Sequence, residues 1–455
     1  MARPLLSGAF EAFRDDPSRP ALIETGRTWA WSEFKEAVEA VARELESSPD
    51  RGPVRILRPS DSSFLVTFLA AATAGRPAST LHQDWSAPEL EAAIADVSGF
   101  EADLAAEEDD PVFYIGFTSG TSGRPKPFAR RQRSWSSSFG PAGELFGVEA
   151  GDQVFLPGSL QHSHFLFGAV FALDRGAAVR LFERFDSGLL ARELEETSRG
   201  VVYLVPTMLL DLDGLEAGPF GGVHSVVISG AKMEPHHWEI VRRLFPRALV
   251  GELYGASELS FVSVNTGGEA ADDPGFVGQP FPGVEIEIRP SGDTTEDGTG
   301  VVYVRSPYLF DGYVDGPETN SPVGPDGFMT VGDIGRLTER GLSLVGRASN
   351  MLITGGKNVH PEEVEAQLGR HPGVRECVVV GVPHPRWGEE LVAFLVAADD
   401  AGGLAVEPLR EYLKERVASY KAPKRWFLVE EIPRTRAKKT DRSPERLFEG
   451  ATEIP

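Results

Sequence analysis

The sequence predicts an α/β protein with a large N-terminal domain, residues 1–348, and a small α+β C-terminal domain, residues 349–455. Between residues 31 and 251, short apolar runs alternate with segments of helical periodicity, which predicts sheets of parallel strands covered by helices. From residue 278 the pattern changes to turn-rich β segments, which predicts a β-rich subdomain within the large domain. After residue 348, two strands between two helices fit a separate domain of about a hundred residues.

Hydrophobic periodicity gives the individual elements in chain order. Apolar residues at helical spacing predict helices at 31–45, 60–74, 87–95, 361–368 and 407–417. Short apolar runs predict strands at 54–58, 112–117, 153–156, 179–182, 201–205, 225–228, 248–251, 285–289, 300–305, 332–337, 342–346, 376–381 and 391–396. Cys377 lies in one of these runs, so we expect a buried strand residue rather than a nucleophile.

Charge and composition exclude several classes of function. The 68 acidic residues outnumber the 45 basic ones, and the net charge is −23. Such a field repels phosphate backbones and anionic lipids, which disfavours nucleic-acid binding and membrane binding as a main role. The longest apolar stretch has about twelve residues, too few to span a bilayer, and no signal peptide is evident. One cysteine excludes a disulfide framework and a cysteine-based zinc site, and fits the reducing cytoplasm.

A glycine- and hydroxyl-rich segment follows the strand at 112–117. Its glycines allow several backbone N–H groups to point to one place, its hydroxyls add donors, and its lysine adds a positive charge. Such a local cluster of donors predicts a polyphosphate site in an otherwise acidic protein. It is not the Walker pattern, because the Gly-Lys-Ser/Thr triplet is missing. The residues are Thr118, Ser119, Gly120, Thr121, Ser122, Gly123, Arg124, Pro125 and Lys126.

With this segment, the chain resembles the adenylate-forming superfamily of acyl-CoA synthetases, peptide-synthetase adenylation domains and firefly luciferase. Five further motifs occur in the family's order and span nearly the whole chain. They are Tyr254-Gly255-Ala256-Ser257-Glu258, Thr330-Val331-Gly332-Asp333, Gly346-Arg347, the segment from Gly355 and Gly356 to Glu365, and the segment from Pro433 to Lys439. The resemblance implies the adenylate-forming fold with a mobile small domain, and ATP, Mg²⁺ and coenzyme A as cofactors.

The resemblance also implies roles for single residues on the nucleotide side. Glu258 is the expected Mg²⁺ ligand, since Mg²⁺ prefers hard carboxylate oxygens. Asp333 is expected to accept hydrogen bonds from the ribose, and Arg347 to reach ribose or phosphate. Tyr254 is expected to stack on adenine. The remaining nucleotide-side or thiol-side residues are Gly230 and Ala231 at the adenine turn, Gly255 and Ser257 beside Tyr254, and Gly355 and Gly356 near the thiol acceptor.

A lysine near the C-terminus is the central catalytic residue that the resemblance implies. The substrate carboxylate must attack the α-phosphate, and a cation between the two anions lowers the barrier. Spacing from Pro433 and to Asp441 favours Lys439, and Lys438, which stands where the family has glycine, stays open as the alternative. Glu258 and Thr121 complete the predicted catalytic set on the nucleotide side. At the family's domain hinge this chain has Ser349 instead of aspartate or lysine.

Two histidines lie where the family lines its acyl pocket, in Gln161-His162-Ser163-His164-Phe165. We expect His162 to act as a gate, and we include it among the catalytic residues. The neighbouring phenylalanines Phe165, Phe167 and Phe171 fit either an apolar pocket or a core stripe. No aspartate follows to pair a substrate amine, and an unpaired ammonium would be costly there, so an amino-acid substrate is disfavoured.

The sequence therefore predicts an ATP-dependent ligase that converts an apolar carboxylic acid, aromatic or fatty, to acyl-AMP and then to a thioester with coenzyme A. An acyl carrier protein presents the same phosphopantetheine thiol and stays open as the acceptor. Two other classes also stay open, a nucleotide-binding protein without turnover and a luciferase-like oxidase. About thirty residues separate His82 from the phosphate segment, which predicts a trimmed first subdomain.

Overall fold

A computed structural model describes residues 5–100, 110–119, 125–215, 217–267, 273, 275–290, 298–315, 318–347, 350, 352–354, 357–384, 388–398, 404–417, 419–435 and 440–454. The chain separates into two compact units. Unit 1 comprises residues 1–267, 280–285 and 304–329. Unit 2 comprises residues 268–279, 286–303 and 330–455. The domain boundary expected between residues 348 and 349 stays a prediction.

Unit 1 contains nine helices within its described residues. They are α1 (Ser7–Ala12), α2 (Trp31–Ser47), α3 (Ser62–Thr73), α4 (Ala87–Ser98), α5 (Gln132–Phe146), α6 (Ser163–Asp174), α7 (Ser187–Glu196), α8 (Pro206–Asp213) and α9 (Pro235–Leu244). Asp61 and Asp186 cap α3 and α7 by accepting hydrogen bonds from the backbone N–H groups of Phe64 and Leu189. The predicted helices at 31–45, 60–74 and 87–95 are confirmed, with ends shifted by three residues or fewer.

The strands of unit 1 form one mainly parallel sheet and one mixed sheet. They are β1 (Pro20–Glu24), β2 (Arg27–Ala30), β3 (Val54–Ile56), β4 (Ala78–Thr80), β5 (Val112–Ser119), β6 (Pro125–Arg131), β7 (Gln153–Leu156), β8 (Ala178–Leu181), β9 (Gly200–Leu204), β10 (Val223–Ile228), β11 (Leu249–Ala256) and β12 (Ser260–Asn265). The first sheet has the order β12-β11-β10-β9-β7-β8-β1-β2, and strands β11 to β1 in this order are parallel. The predicted alternation of parallel strands and helices is confirmed.

The mixed sheet carries the phosphate segment. Its order is β17-β16-β6-β5-β4-β3, where β16 is Gly312–Asp315 and β17 is Glu318–Asn320. Strands β3, β4 and β5 are parallel, and β5 pairs antiparallel with β6. The β5–β6 pair places Thr118 opposite Lys126 and Ser119 opposite Pro125. We call this pair the phosphate hairpin, because the predicted phosphate segment lies at its tip.

Unit 2 begins with the β-rich part of the chain. Its strands are β13 (Phe276–Pro280), β14 (Glu285–Arg289), β15 (Gly300–Arg305), β18 (Asp333–Thr338) and β19 (Gly341–Arg347), in the order β14-β15-β18-β19-β13. Of these, β15 with β18, β18 with β19 and β19 with β13 pair antiparallel. The strands expected at 285–289 and 300–305 have the predicted bounds. The change to a turn-rich β pattern at residue 278 therefore coincides with a β-rich subdomain in the structure.

The rest of unit 2 is an α+β fold. It contains β20 (Leu352–Thr354), β21 (Lys357–Val359), α10 (Pro361–Leu368), β22 (Val374–His384), β23 (Gly388–Ala397), α11 (Val406–Lys414), β24 (Arg425–Leu428), α12 (Pro444–Phe448) and β25 (Thr452–Glu453). Alternate residues of β22 face opposite sides, so Val379 packs with α10 and α11 while Val378 packs with Phe394 and Leu447. The α/β fold class with a small α+β part is confirmed.

Cys377 corrects one expectation about burial. It lies in β22 as predicted, but its side chain is only half-buried, and its Sγ lies 3.4 Å from the backbone oxygen of Glu365. The side chain sits at the margin of the cluster between β22 and α10, which explains the partial exposure.

Within the described residues, no helix is long and apolar enough to cross a membrane.

Candidate active site

The phosphate hairpin brings two of the predicted nucleotide-side residues together. The Thr118 hydroxyl lies 3.5 Å from the backbone oxygen of Lys126, its partner across the strands. The Lys126 side chain is exposed, and its Nζ lies 3.4 Å from the centroid of the Tyr313 ring. Since ammonium groups are attracted to aromatic faces, this contact fixes the lysine beside the hairpin tip. Residues Gly120, Thr121, Ser122 and Gly123 and the side chain of Ser119 lie outside the described residues.

Glu258 lies in the turn between β11 and β12, which we call the Glu258 turn, residues 257–259. Its carboxylate Oε1 accepts a hydrogen bond of 2.9 Å from the Tyr313 hydroxyl. Burial and the Glu258 charge raise the pKa of this tyrosine, so its hydroxyl stays protonated as a donor. Tyr313 therefore touches the cation and the carboxylate that the sequence places 132 positions apart.

The glycine of Tyr254-Gly255-Ala256-Ser257-Glu258 has a steric reason. Gly255 pairs with Phe261 across the β11–β12 turn, where the register shifts. A Cβ at Gly255 would overlap the backbone oxygen of Ser260, so the backbones can approach this closely only with glycine. The turn thus holds half-buried Tyr254 and Glu258 on one short connection.

Arg130 is hydrogen-bonded to the Glu258 turn, and the sequence analysis did not predict this residue. Its guanidinium is 1% exposed and donates to the backbone oxygens of Ser257 (2.6 Å) and Tyr308 (2.9 Å). Burial lowers the pKa of Arg130 to about 10, partly offset by the charges of Tyr114 and Glu258. An arginine two residues after Phe128, on the same face of the strand, was the available signal. A buried cation requires compensating acceptors, and here they are backbone carbonyls.

The predicted adenine-side turn is exposed at Gly230 and Ala231, and Gly230 has a positive φ of 91°. A buried ion pair, also missed from the sequence, anchors the chain just after it. Glu252 is 2% exposed and accepts hydrogen bonds from Lys232 Nζ (3.0 and 3.1 Å) and the Met233 N–H (2.6 Å). The pair therefore ties the turn after β10 to the parallel strand β11.

The predicted ribose-binding residues pair with each other in unit 2. Asp333 begins β18 and lies opposite Arg347 at the end of β19. The Arg347 Nε donates to Asp333 Oδ1 at 2.8 Å, and Asp333 is 4% exposed. Just beyond Arg347, the Asn350 side chain donates to Glu362 at 2.6 Å. Gly355, Gly356, Ser349, Lys438 and Lys439 lie outside the described residues.

The structure describes the two ends of the predicted lysine segment, at Arg434 and Thr440. Arg434 and Thr440 form an isolated antiparallel bridge, and Arg434 Nη1 donates to the Thr440 hydroxyl at 3.0 Å. Three residues after Lys439, Arg442 donates to both carboxylate oxygens of Glu365 at 2.6 Å. The ends of the segment are therefore bridged to each other, and its C-terminal side is also tied to α10.

A row of aromatic rings begins beside the predicted gate. His162 is exposed at the N-terminus of α6, and its ring lies 4.9 Å from that of His82. Trp85 stacks on His82 at 4.8 Å and meets Phe117 edge-on at 5.1 Å. Burial, aided by the charge of His162, lowers the pKa of His82 to about 4, so this imidazole is neutral at pH 7. One neighbour of His162 is therefore the uncharged imidazole of His82, which begins a row of aromatic rings.

The phenylalanines after His164 belong to the interior. Phe165, Phe167 and Phe171 are 4%, 6% and 0% exposed. Phe167 contacts the rings of Trp135, Phe139, Phe171 and Phe261. A core stripe therefore accounts for Phe167 and Phe171.

The donor set suits Mg²⁺ on a nucleotide rather than a metal held by protein alone. Over the residues that the structure describes, no group of three His, Cys, Asp or Glu side chains could hold a metal. Glu258 provides one hard carboxylate near the hairpin that is predicted to bind phosphates. Mg²⁺ commonly binds through one or two carboxylates together with substrate phosphates and water, so the residues fit it.

The fold and these residues define an adenylate-forming enzyme. Residues 97–314 match the AMP-binding enzyme family, and residues 363–439 match the AMP-binding enzyme C-terminal domain. YhfT of Bacillus subtilis (strain 168), named as an uncharacterized acyl-CoA ligase, is 34% identical over an alignment of 464 positions that covers 94% of each chain. The chain belongs to the AMP-binding enzyme family.

Other relatives and solved structures agree with this assignment. A Bacillus licheniformis 2-succinylbenzoate–CoA ligase is 30% identical over 333 residues, covering 72% of this chain and 69% of the relative. The amide bond synthetase McbA from Marinactinospora thermotolerans superposes with a TM-score of 0.83 at 25% identity, over 98% and 100% of the two chains. The o-succinylbenzoate CoA synthetase MenE from Bacillus subtilis, with its acyl-adenylate, gives 0.82 at 24% identity over 98% of each chain, a likeness of fold.

Proposed function

We propose that this enzyme is an AMP-forming acid–CoA ligase that activates an apolar carboxylic acid. The observation that carries the proposal is the Lys126–Tyr313–Glu258 cluster beside the phosphate hairpin. It places a cation for phosphate and a carboxylate for Mg²⁺ together at the hairpin. The relatives YhfT and the 2-succinylbenzoate ligase are named as CoA ligases, which supports the same reaction class.

In the first step, a carboxylate oxygen of the acid attacks the α-phosphorus of ATP, and the bond to pyrophosphate breaks. Hairpin donors and Lys126 bind the phosphates, while Asp333 accepts hydrogen bonds from the ribose hydroxyls. Lys439 bridges the attacking carboxylate and the α-phosphate, where it offsets their repulsion. Mg²⁺, held by Glu258, would neutralise charge on the phosphates.

In the second step, the thiolate of coenzyme A attacks the acyl carbonyl carbon, and AMP leaves. We propose that the segment containing Gly355 and Gly356 meets the thiol and that His162 lies at the acyl side. A carrier-protein phosphopantetheine arm has the same thiol and is the alternative acceptor. One cysteine in the chain is in keeping with the reducing cytoplasm, where we place the reaction.

The aromatic setting of His162 supports an apolar acid. His82, Trp85 and Phe117 present ring faces and edges rather than charges to this region. An ammonium or a second carboxylate on the substrate would lose hydration there without gaining an ionic partner from these rings. We therefore place aromatic and fatty acids ahead of amino acids.

The test is a screen of carboxylic acids with ATP, Mg²⁺ and coenzyme A, read by mass spectrometry for acyl-CoA and AMP. We expect an acyl-CoA product from aromatic or fatty acids and none from amino acids. Acyl-AMP that accumulates with coenzyme A but is consumed by a phosphopantetheinylated carrier protein would favour the alternative acceptor. Acyl-AMP that reacts only with amines would point to an amide synthetase such as McbA. Binding of ATP without any acyl-AMP would contradict the enzyme assignment.

A further inference from the structure

The Glu258 turn is joined to the segment 308–313 by contacts that the proposed reaction does not itself require. The backbone N–H of Phe310 donates to the backbone oxygen of Glu258 at 2.9 Å. Arg130 donates to one carbonyl on each side, those of Ser257 and Tyr308. Tyr313, at the end of this segment, then donates its hydroxyl to the Glu258 carboxylate. Backbone and side chain of Glu258 are therefore held by the same segment.

Arg130 connects this arrangement to the phosphate hairpin. Arg130 and Lys126 lie four residues apart on β6, so their side chains share one face of the strand. A third donor contact joins Arg130 to the Ser134 hydroxyl at 3.1 Å. Its guanidinium thus meets three oxygens with a planar group of fixed shape, which a lysine could not reproduce. Strand β6 therefore carries two residues of this arrangement. Lys126 is proposed to bind the phosphates, and Arg130 is hydrogen-bonded to the Glu258 turn.

We propose that Tyr313 and Arg130 are positioning residues for Glu258. Arg130 fixes the Glu258 turn and the 308–313 segment against β6, and the Tyr313 hydroxyl selects one orientation of the carboxylate. A half-buried glutamate side chain without this contact would sample several rotamers, and ordering it would have an entropic cost at each binding event. This inference rests on the proposed role of Glu258 toward Mg²⁺, and deepens it by naming what orients the ligand.

The experiment measures nucleotide binding rather than turnover. Isothermal titration calorimetry of the full chain with ATP, without carboxylic acid, is carried out once with Mg²⁺ and once with EDTA. Tyr313→Phe keeps the ring beside Lys126 but removes the hydroxyl on Glu258. We expect about tenfold weaker binding of Mg²⁺-ATP, the usual loss for a hydrogen bond to a charged group, and unchanged binding of metal-free ATP.

Tyr308→Phe is the matched control. Its hydroxyl is also a partly buried donor, at 2.6 Å from the backbone oxygen of Pro282, but it does not touch Glu258. We expect both affinities to stay as in the wild type. Arg130→Lys should weaken Mg²⁺-ATP binding as Tyr313→Phe does. An equal loss with EDTA would instead assign Arg130 to the hairpin alone and overturn its part of the proposal.

A double-variant cycle separates this inference from the proposed function. If Tyr313 acts through Glu258, then Tyr313→Phe combined with Glu258→Gln binds Mg²⁺-ATP no more weakly than Glu258→Gln alone. Additive losses would overturn the positioning role. A Glu258→Gln protein that keeps the full Mg²⁺ effect would contradict the magnesium assignment itself. A Glu258→Gln protein that loses it, beside an unchanged Tyr313→Phe protein, would leave that assignment intact and refute the positioning role.

Discussion

Glu258 in unit 1 and Asp333 in unit 2 are both carboxylates at strand ends, but the protein holds them differently. Glu258 is half-buried and accepts a neutral hydroxyl, that of Tyr313. Asp333 is 4% exposed and accepts a guanidinium, that of Arg347, at 2.8 Å. Among the described residues, Glu258 takes part in no ion pair, whereas Asp333 does.

The difference indicates which partner each carboxylate suits. A carboxylate bonded to a neutral donor keeps its negative charge available to a cation. A carboxylate already paired with arginine has little left to offer a cation, but its remaining lone pairs still accept hydrogen bonds from hydroxyls. The structure thus gives a physical reason to separate the proposed metal role of Glu258 from the proposed ribose role of Asp333.

Replacement of Lys439 should have the largest effect. It tests whether the attack of the carboxylate depends on a cation other than Lys126 and Arg347. Tyr313 contacts Lys126 and Asp333 pairs with Arg347, and the family resemblance implies Lys439 as the separate cation for the attack of the carboxylate. Lys439→Ala should lower carboxylate-dependent pyrophosphate exchange by about 10²- to 10³-fold, as for other preorganised charges. Thioester formation from supplied acyl-adenylate should persist. Lys438→Ala is the matched control, and a reversed result would transfer the role to Lys438.

Substitutions of two glycines, Gly255 in unit 1 and Gly346 in unit 2, test how rigid the surroundings of Glu258 and of Asp333 are. Alanine at Gly255 would meet the Ser260 backbone, which cannot move without opening the β11–β12 turn. Alanine at Gly346 would meet the Glu362 Oε2 at 2.5 Å, a side-chain tip that can rotate away from Asn350. We expect Gly255→Ala to reduce the free energy of unfolding by about 3 kcal/mol and Gly346→Ala by about 1 kcal/mol. Urea denaturation measures both, and equal losses would show that the two regions are equally rigid.

The sequence was sufficient to propose ligands but not to find the residues that hold them. Glu258, Asp333 and Arg347 were proposed because they lie in short contiguous motifs, and the structure places each of them at a strand end or turn. Tyr313 lies 55 positions after Glu258, and only the pairing of β16 with β6 brings it to the hairpin. Contacts that depend on strand order across a sheet have no local signature.

The elements themselves were predictable for a related reason. Parallel strands buried on both faces are short apolar runs, and the runs at 153–156 and 201–205 agree with β7 and β9 to within one residue. Burial at the margins was less predictable, since Cys377 lies in an apolar run yet stays half-exposed. Its Sγ lies beside the backbone oxygen of Glu365 in α10, so its exposure depends on how α10 packs on β22, which is a tertiary property.

Acid separates the units further, because unit 1 holds a half-buried imidazole, that of His164, while unit 2 holds the half-buried Arg442–Glu365 ion pair. Burial, aided by the charge of His162, lowers the pKa of His164 to about 4. The unfolded chain binds a proton near pH 6.5 and the folded chain does not, so stability is full above 6.5 and falls toward pH 4. At pH 5 the loss from this group is about 2 kcal/mol.

The measurement is urea denaturation at pH 7.5 and pH 5.0. The wild type should lose about 2 kcal/mol more than His164→Gln between the two values, because glutamine has no proton to gain. Glutamine also retains a donor for the Leu204 backbone oxygen, which lies 3.2 Å from the histidine Nε2. Equal losses in both proteins would place the acid sensitivity elsewhere.

A modest effect on nucleotide binding separates the two carboxylates directly. Asp333→Ala should weaken ATP binding about tenfold, since it removes an acceptor of the ribose hydroxyls, and should leave binding of 2′,3′-dideoxy-ATP nearly unchanged. The loss should be the same with Mg²⁺ and with EDTA, whereas Glu258→Gln should act only with Mg²⁺. Calorimetry with both nucleotides measures this. If Asp333→Ala weakened the binding of both nucleotides equally, Asp333 would serve only to hold Arg347. The partners of the two carboxylates would then give no reason to assign the ribose hydroxyls to Asp333 and the metal to Glu258.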